Sequence, residues 1–227
     1  MEPALRQPRS VPAPLVYLGR ALLLLLAYLG AAHIGTRYAS IGYTISLVWA
    51  PTGIAIAALV QLGLRYWPAI AAGAFLANLL TPVPVESAAV IATGNLAEAL
   101  LAAWLVLRVA GARPELEDLR HLKALLVAVP AGALVSAAIG VVALWITGAL
   151  VGPATTALAV WWAGDVVGGV VVAPVFFAWG ARPRRPERAR PILEIAVLCI
   201  GAAVAAEVAV GPFVRVPVLR EIDYTFL

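Results

Sequence analysis

The sequence predicts an all-α fold, a polytopic bundle of transmembrane helices. Hydrophobic residues make up 63% of the 227 residues and charged residues only 12%, whereas a soluble domain carries about 25% charged residues. The apolar residues form long runs separated by short polar loops, and about 20 consecutive apolar residues are enough to cross a bilayer as a helix. The lipid bilayer is therefore the first partner that the composition indicates.

Seven apolar runs predict about seven membrane-spanning helices. They follow a Pro- and Arg-rich segment, residues 1–14, which we interpret as a disordered cytoplasmic arm. The third run is short for a span, so it either crosses with little tilt or is partly re-entrant, and its interior Asn78 is placed to hydrogen-bond a neighbouring helix. In chain order the runs are Leu15–Gly35, Thr44–Leu62, Trp67–Leu80, Val85–Leu107, Leu122–Gly148, Thr155–Trp179 and Ile192–Val210.

The basic residues support this count and orient the chain. With a cytoplasmic N-terminus, only Arg37, Arg215 and Arg220 fall outside, and an excess of Lys and Arg in cytoplasmic loops is typical of membrane proteins. An odd number of spans then places the tail outside. The sequence stops at Phe226–Leu227 as though a new apolar run were starting, which predicts a module cut short before an eighth helix. A short protein that ends outside is the alternative.

A proline interrupts the second run. Pro51, in the string WAPTG, lacks an N–H and clashes with the carbonyl four residues earlier, so the helix is expected to kink or start there. A break of this kind frees backbone carbonyls at membrane depth, which is tolerated only where protein or a cavity meets them. Thr52 and Gly53 are placed to satisfy the break, and Trp49 precedes it. An ordinary proline kink with no ligand role is the alternative.

Two acidic residues lie inside apolar runs, Glu98 in GNLAEA and Asp165 in WWAGDVVGG. A carboxylate at the centre of a span costs about 2.5–3.5 kcal/mol on insertion scales, and no Lys or Arg lies in the middle of any run. Asn95 lies three residues before Glu98, on the same helix face. The two acids lie about 20 and 15 Å from the outer ends of their runs. This similar depth makes a shared polar pocket a hypothesis.

The surroundings of Asp165 allow two interpretations. Trp161 lies four residues earlier, so its indole N–H is placed to donate to the carboxylate. Gly164 and Gly168 favour close helix packing, so WWAGDVVGG is either a packing seam with one buried hydrogen-bonding acid or a pocket that senses a ligand or a cation. A buried acid without a basic neighbour favours its protonated form, which gives proton or cation sensing a physical motive.

The remaining residues predict no catalytic site and no metal site. His33 and His121 are isolated, without the paired spacing of metal ligands, and no Ser–His–Asp or Cys–His arrangement is present. No Gly-rich phosphate loop follows a strand. We therefore expect no enzymatic activity, no cofactor and no nucleic-acid partner.

Four strings resemble the MASE1 family of bacterial integral-membrane sensory domains, in the family's order and spacing. They are WAPTGIAIAAL (49–59), YWPAIAAGAFLANL (66–79), GNLAEALLAAWLVLR (94–108) and WWAGDVVGGVVVAP (161–174). The resemblance covers residues 15–227 and departs at Ala50, where a second proline is common in the family. By match to the family's motifs, the positions to test first are Trp49, Pro51, Gly53, Asn78, Asn95, Glu98, Trp161, Trp162, Asp165 and Gly168.

The resemblance implies an eight-helix sensory input module in the bacterial cytoplasmic membrane, ahead of a histidine kinase, diguanylate cyclase or phosphodiesterase domain. Such a module would bind a small molecule, a cation or proton, or a membrane-protein partner, and the full-length protein is expected to form a homodimer. A function of another class is a small, non-catalytic membrane subunit that packs against a larger complex. An output domain encoded in frame beyond Leu227 would favour the sensor.

Overall fold

Six α-helices and two very short strands make up the described part of the computed structural model. The structure describes residues 13–38, 40–41, 45–46, 48–111, 114 and 118–180. The predicted cytoplasmic arm falls almost entirely outside these residues, as do the seventh apolar run and the tail. In chain order the elements are α1 (Ala13–Tyr38), β1 (Ser40–Ile41), β2 (Ile45–Ser46), α2 (Ala50–Leu62), a 3-10 turn (Leu64–Tyr66), α3 (Trp67–Leu79), α4 (Val85–Ala110), α5 (Leu119–Ile146) and α6 (Ala154–Gly180).

Four of the described helices, α1, α4, α5 and α6, are long and apolar enough to cross a membrane. The all-helical class is confirmed, and the six helices follow the first six predicted runs in order. The count of about seven spans is not confirmed, because α2 and α3 have only 13 residues each and the seventh run lies outside the described residues. A helix of that length measures about 20 Å, which is shorter than a hydrocarbon core of about 30 Å.

The second apolar run is helical only in its later part, from Ala50 to Leu62. Ile45–Ser46 pairs with Ser40–Ile41 as an antiparallel ladder, and α2 begins only at Ala50. Pro51 lies in the first turn of α2, where its missing N–H would have had no intrahelical partner in any case. Of the two expected effects of this proline, a kink or a start, the structure has the start.

α2 begins beside the middle of α6. The backbone N–H of Trp49 donates to the carbonyl of Gly164 at 2.9 Å, and Gly164 lies about 15 Å along α6 from its first residue. Further along, Nε2 of Gln61 donates to the carbonyl of Phe176 at 2.9 Å, so the two helices run in the same direction. The first turn of α2 therefore lies deep in the bundle, beside the central turns of α6.

Glycines let α2 and α6 approach each other at backbone distance. A Cβ atom added at Gly53 would lie 2.6 Å from the carbonyl oxygen of Gly168, and one added at Gly168 would overlap the carbonyl group of Trp49. Because the obstructing atoms belong to the backbone, they cannot turn aside as a side chain can. Small residues at the contact are the usual means by which membrane helices pack closely.

α4 and α5 run antiparallel along their whole length. The hydroxyls of Ser87 and Thr147 are hydrogen-bonded at 2.7 Å near one end of the pair. In the middle, a Cβ atom added at Gly132 of α5 would lie 2.8 Å from the carbonyl oxygen of Glu98 on α4. The backbones of these two helices are therefore in contact at the level of Glu98.

Two aromatic side chains pack against glycines of neighbouring helices. The Trp161 ring of α6 lies against Gly140 of α5, and the Tyr28 ring of α1 lies against Gly73 of α3, where an added Cβ atom would be 3.0 Å from the ring. Both aromatic residues are buried. These contacts direct a tryptophan and a tyrosine toward the interior of the bundle.

α5 begins at a capped terminus. The side chain of Asp118 accepts a hydrogen bond from the backbone N–H of Arg120 at 2.8 Å, which satisfies one of the unpaired donors at a helix start. The Arg120 side chain and backbone N–H hold the pKa of this partly exposed carboxyl below its usual range. The cap defines where the polar connection after α4 ends and the apolar helix begins.

We predict that Gly168→Ala destabilises the bundle by about 1–3 kcal/mol, the usual range for overpacking a dense interior, because the new methyl group overlaps the backbone of Trp49. The measurement is denaturant unfolding of the purified chain in detergent. Gly30→Ala is the matched control, since Gly30 lies in helix α1 with no atom within 4 Å of an added Cβ. Equal stabilities of the two variants would contradict the close crossing of α2 and α6.

Candidate functional site

Four helices bring buried polar side chains together in the interior of the bundle. Hydroxyl groups come from α2 and α5, an amide from α4, and carboxyl groups from α4 and α6; each of these residues is at most 4% exposed. Burial of such groups is tolerated where they find hydrogen-bond partners. We call the set the polar cluster, and its members are Thr52, Asn95, Glu98, Ser136 and Asp165.

Hydrogen bonds join the polar cluster across helices. Thr52 Oγ1 donates to Glu98 Oε1 at 3.2 Å, and Ser136 Oγ donates to Asn95 Oδ1 at 3.0 Å. Asn95 Nδ2 in turn donates to the phenolic oxygen of Tyr28 at 3.4 Å. Five helices, α1, α2, α4, α5 and α6, therefore meet at or beside the cluster.

The Asp165 carboxyl lies in the polar cluster beside Glu98. Its other neighbours are the hydroxyls of Thr52 and Ser136 and the indole of Trp161, and the two carboxyl groups are within hydrogen-bonding reach of each other. Its Oδ2 atom is buried without a hydrogen-bond partner in the described part of the structure. The two acids that the sequence places at similar depth thus share one site.

No basic side chain balances these two acids among the described residues. The ion pairs there join Asp118 to Arg120 and to His121, at the start of α5. Two negative charges within hydrogen-bonding reach repel each other strongly where the dielectric constant is low. The polar cluster therefore carries fewer than two negative charges, or it holds a cation.

The start of α2 supplies a partial positive charge to the polar cluster. Thr52 is the third residue of α2, and the free N–H groups of a first helical turn are equivalent to about half a unit of positive charge. Anionic groups are stabilised at such termini. Because Thr52 donates to Glu98, the break before α2 brings this positive end to the carboxyl pair.

A comparison with protein-family models identifies the chain. The model of the MASE1 family matches residues 20–225. The chain belongs to the MASE1 family. MASE1 is a family of membrane-associated sensory domains that are not catalytic, and the long apolar helices agree with an integral membrane protein. No curated protein and no solved structure matches the chain.

Two of the predicted site residues lie away from the polar cluster of this MASE1 domain. Trp162 is 38% exposed, and its Nε1 donates to the carbonyl of Pro130 at 3.0 Å. Asn78 is buried, but its Nδ2 donates to the carbonyl of Ala74 in its own helix at 2.8 Å, not to a neighbouring helix as predicted. Within the described residues, neither side chain has a hydrogen bond to the cluster.

The proline break lies next to the polar cluster. Pro51 is buried in the first turn of α2, and the Trp49 side chain is within hydrogen-bonding reach of the Tyr28 hydroxyl. Tyr28 and Ser136 were not predicted from the sequence, and Thr52 was predicted only to satisfy the break. Each is a polar side chain with apolar immediate neighbours inside a long apolar run, and that setting is the signal that identifies such residues.

The chemistry of the polar cluster is that of oxygen ligands and exchangeable protons. The described residues contain no group of three or more His, Cys, Asp and Glu that could hold a metal ion. Carboxyl and hydroxyl oxygens are hard ligands, suited to protons and to hard cations. The cluster is therefore equipped to take up or release a proton, or to bind a small cation or polar molecule through oxygen.

We predict that Ser136→Ala destabilises the MASE1 domain by about 1 kcal/mol, within the range of interhelical hydrogen bonds in membranes, because it leaves Asn95 Oδ1 without its donor. Chemical unfolding in detergent measures the change. Thr93→Ala is the control, since the hydrogen bond of Thr93 Oγ1 among the described residues goes to the Val90 carbonyl of its own helix. If both variants unfold at the same denaturant concentration as the wild type, the hydrogen-bonded cluster does not stabilise the bundle.

Proposed function

We propose that this MASE1 domain is the sensory input module of a bacterial signalling protein, a histidine kinase or an enzyme of cyclic-di-GMP metabolism, and that the polar cluster receives its signal. The observation that carries the proposal is the meeting of Glu98 and Asp165, from two helices, in a buried cluster that has no basic partner among the described residues. Ionisable residues inside membrane bundles are costly and by default indicate a functional site. The signal is a small ligand, a cation or a proton, or a membrane partner that alters the cluster.

The packing around the polar cluster supports a switch between discrete arrangements. α2 and α6 touch through backbone at Gly53 and Gly168, and tightly packed contacts of this kind shift between alternatives instead of deforming gradually. A signal that changes the charge of the cluster changes the relative free energies of two such packings, and the population moves toward the favoured one. α6 carries the change from its centre to its C-terminal end.

We further propose that the domain lies in the bacterial inner membrane with its N-terminus in the cytoplasm. The excess of basic residues in the loops that this orientation places inside supports it. α6 then runs from outside to inside and leads into residues 181–190, which are rich in arginine. Eight spans in a MASE1 module would place both ends of the module in the cytoplasm, next to an output domain.

A second function of another class is a non-catalytic subunit of a larger membrane complex. The exposed leucines of α1, among them Leu18, Leu22, Leu23 and Leu26, suit a lipid surface or the helix of a partner protein, including a second copy of the chain. This function requires the bundle to pack against a partner and does not require the polar cluster to respond to a signal. The following experiment separates the two functions.

In the full-length signalling protein, we predict that Asp165→Asn changes the kinase or cyclase output by about five-fold or more, the range of typical coupling free energies. The reason is that the variant removes one of the two acids from the polar cluster. Output is measured at matched expression levels. Ser87→Ala is the control, because it breaks a part-buried hydrogen bond of 2.7 Å between α4 and the C-terminal cap of α5, outside the cluster.

Unchanged output in Asp165→Asn would contradict the sensory function of the polar cluster. Unchanged output together with loss of a stably co-purifying membrane complex would favour the subunit. A similar change in Ser87→Ala would show that output follows general packing of α4 and α5 and would also count against the proposal.

A further inference from the structure

Both hydroxyl groups of the polar cluster already donate their protons in hydrogen bonds. The Thr52 proton goes to Glu98 and the Ser136 proton goes to Asn95. A hydroxyl has one proton to donate, so Ser136 cannot also donate to Asp165, although it lies beside that carboxyl. Asp165 Oδ2 is thereby left as a buried oxygen without a donor in the part of the chain that the structure describes.

The neighbour of Asp165 in the polar cluster is a second carboxyl group, that of Glu98. Two ionised carboxylates have only acceptor atoms, so they cannot hydrogen-bond to each other, and both charges are unfavourable together at low dielectric. Yet the two groups lie within hydrogen-bonding reach. A proton or another cation between the two carboxyl groups would hold them together and would offset their repulsion.

We propose that Glu98 and Asp165 form a proton-binding site, in which one proton is shared between the two carboxyl groups and joins α4 to α6. A bond of the O–H···O⁻ type holds its oxygens about 2.5–2.7 Å apart, whereas a metal ion lies between its ligands and keeps them apart. The described residues supply too few ligands for a metal ion here, whereas a proton needs only the two carboxyl groups. The pair then carries one negative charge, which lies at the positive start of α2.

Among the described residues that face the Glu98–Asp165 pair, only the two acids themselves titrate near cellular pH. α2 and α5 contribute the hydroxyls of Thr52 and Ser136, which do not titrate at cellular pH. α1 contributes the phenol of Tyr28 through Asn95. No Lys, Arg or His forms an ion pair with either acid among the described residues.

The shared proton gives the polar cluster a means of altering helix contacts. Its loss would leave two adjacent negative charges, which would drive α4 and α6 apart at this level. Uptake of a second proton would remove the negative charge that lies at the start of α2. The claim that the proton is the signal rests on the proposed function of the same cluster. The claim that the two acids bind a proton rests on their burial and on the unpartnered Oδ2 atom of Asp165 in the described part of the structure.

Infrared spectroscopy of the chain in lipid vesicles tests the site. At neutral pH the wild type should show the C=O band of a buried protonated carboxyl group, shifted in D2O. The band should be lost in the double variant Glu98→Gln/Asp165→Asn and altered in each single variant. It should be unchanged in Glu86→Gln, which removes an exposed carboxyl group from the first turn of α4.

A second measurement needs no variant. The fluorescence of the wild-type chain, in which the Trp161 indole lies beside Asp165, is titrated with acid and base in sodium, potassium and choline salts. We expect the same midpoint in all three. A midpoint that moves with sodium, or a protonated band that appears only when sodium is replaced by choline, would overturn the proposal in favour of an alkali-cation site. Absence of the band in the wild type at neutral pH would overturn it outright.

The proton site and the sensory function fail separately. A protonated band with unchanged output in Asp165→Asn contradicts the sensory function and leaves the proton site in place. A missing band with altered output contradicts the proton site and leaves the sensory function in place.

Discussion

The burial of two carboxyl groups within one membrane helix bundle is the constraint on which the rest of the structure depends. Neither Glu98 nor Asp165 is more than 1% exposed, and in a medium of low dielectric such groups need hydrogen bonds and charge compensation. Hydroxyls from α2 and α5, an amide from α4 and an indole from α6 surround them. The bundle is therefore organised around polar contacts at its centre, in a chain that is otherwise mostly apolar.

Close backbone approach makes these contacts geometrically feasible. A short threonine side chain on α2 reaches Glu98 on α4, while Gly53 and Gly168 let α2 lie directly against α6, the helix that carries Asp165. Gly132 does the same for α5 and α4 at the level of Glu98. The proline break belongs to this arrangement, since it starts α2 beside the centre of α6 and brings the positive helix end to the acids. Close packing and charge compensation therefore both depend on the start of α2 beside the centre of α6.

The central features of the site could be predicted from the sequence where a residue type is rare in its surroundings. Glu98 and Asp165 are conspicuous in apolar runs, and counting 1.5 Å per residue placed them at similar depth. The helix start at Pro51 and the family resemblance, now confirmed, were also accessible from local patterns. Each of these inferences depends on composition or on spacing within one helix.

What could not be predicted depends on how different helices meet. Ser136 and Tyr28 belong to the site because of the faces that α5 and α1 turn inward, and helices apolar all round carry no periodic signal for this. Trp162 points away from the acids although it adjoins Trp161. The most direct test of the central claim is a double-mutant cycle of Glu98→Gln and Asp165→Asn on the free energy of unfolding in detergent. Contact predicts a coupling of about 0.5–3 kcal/mol, whereas additive effects would contradict a shared site.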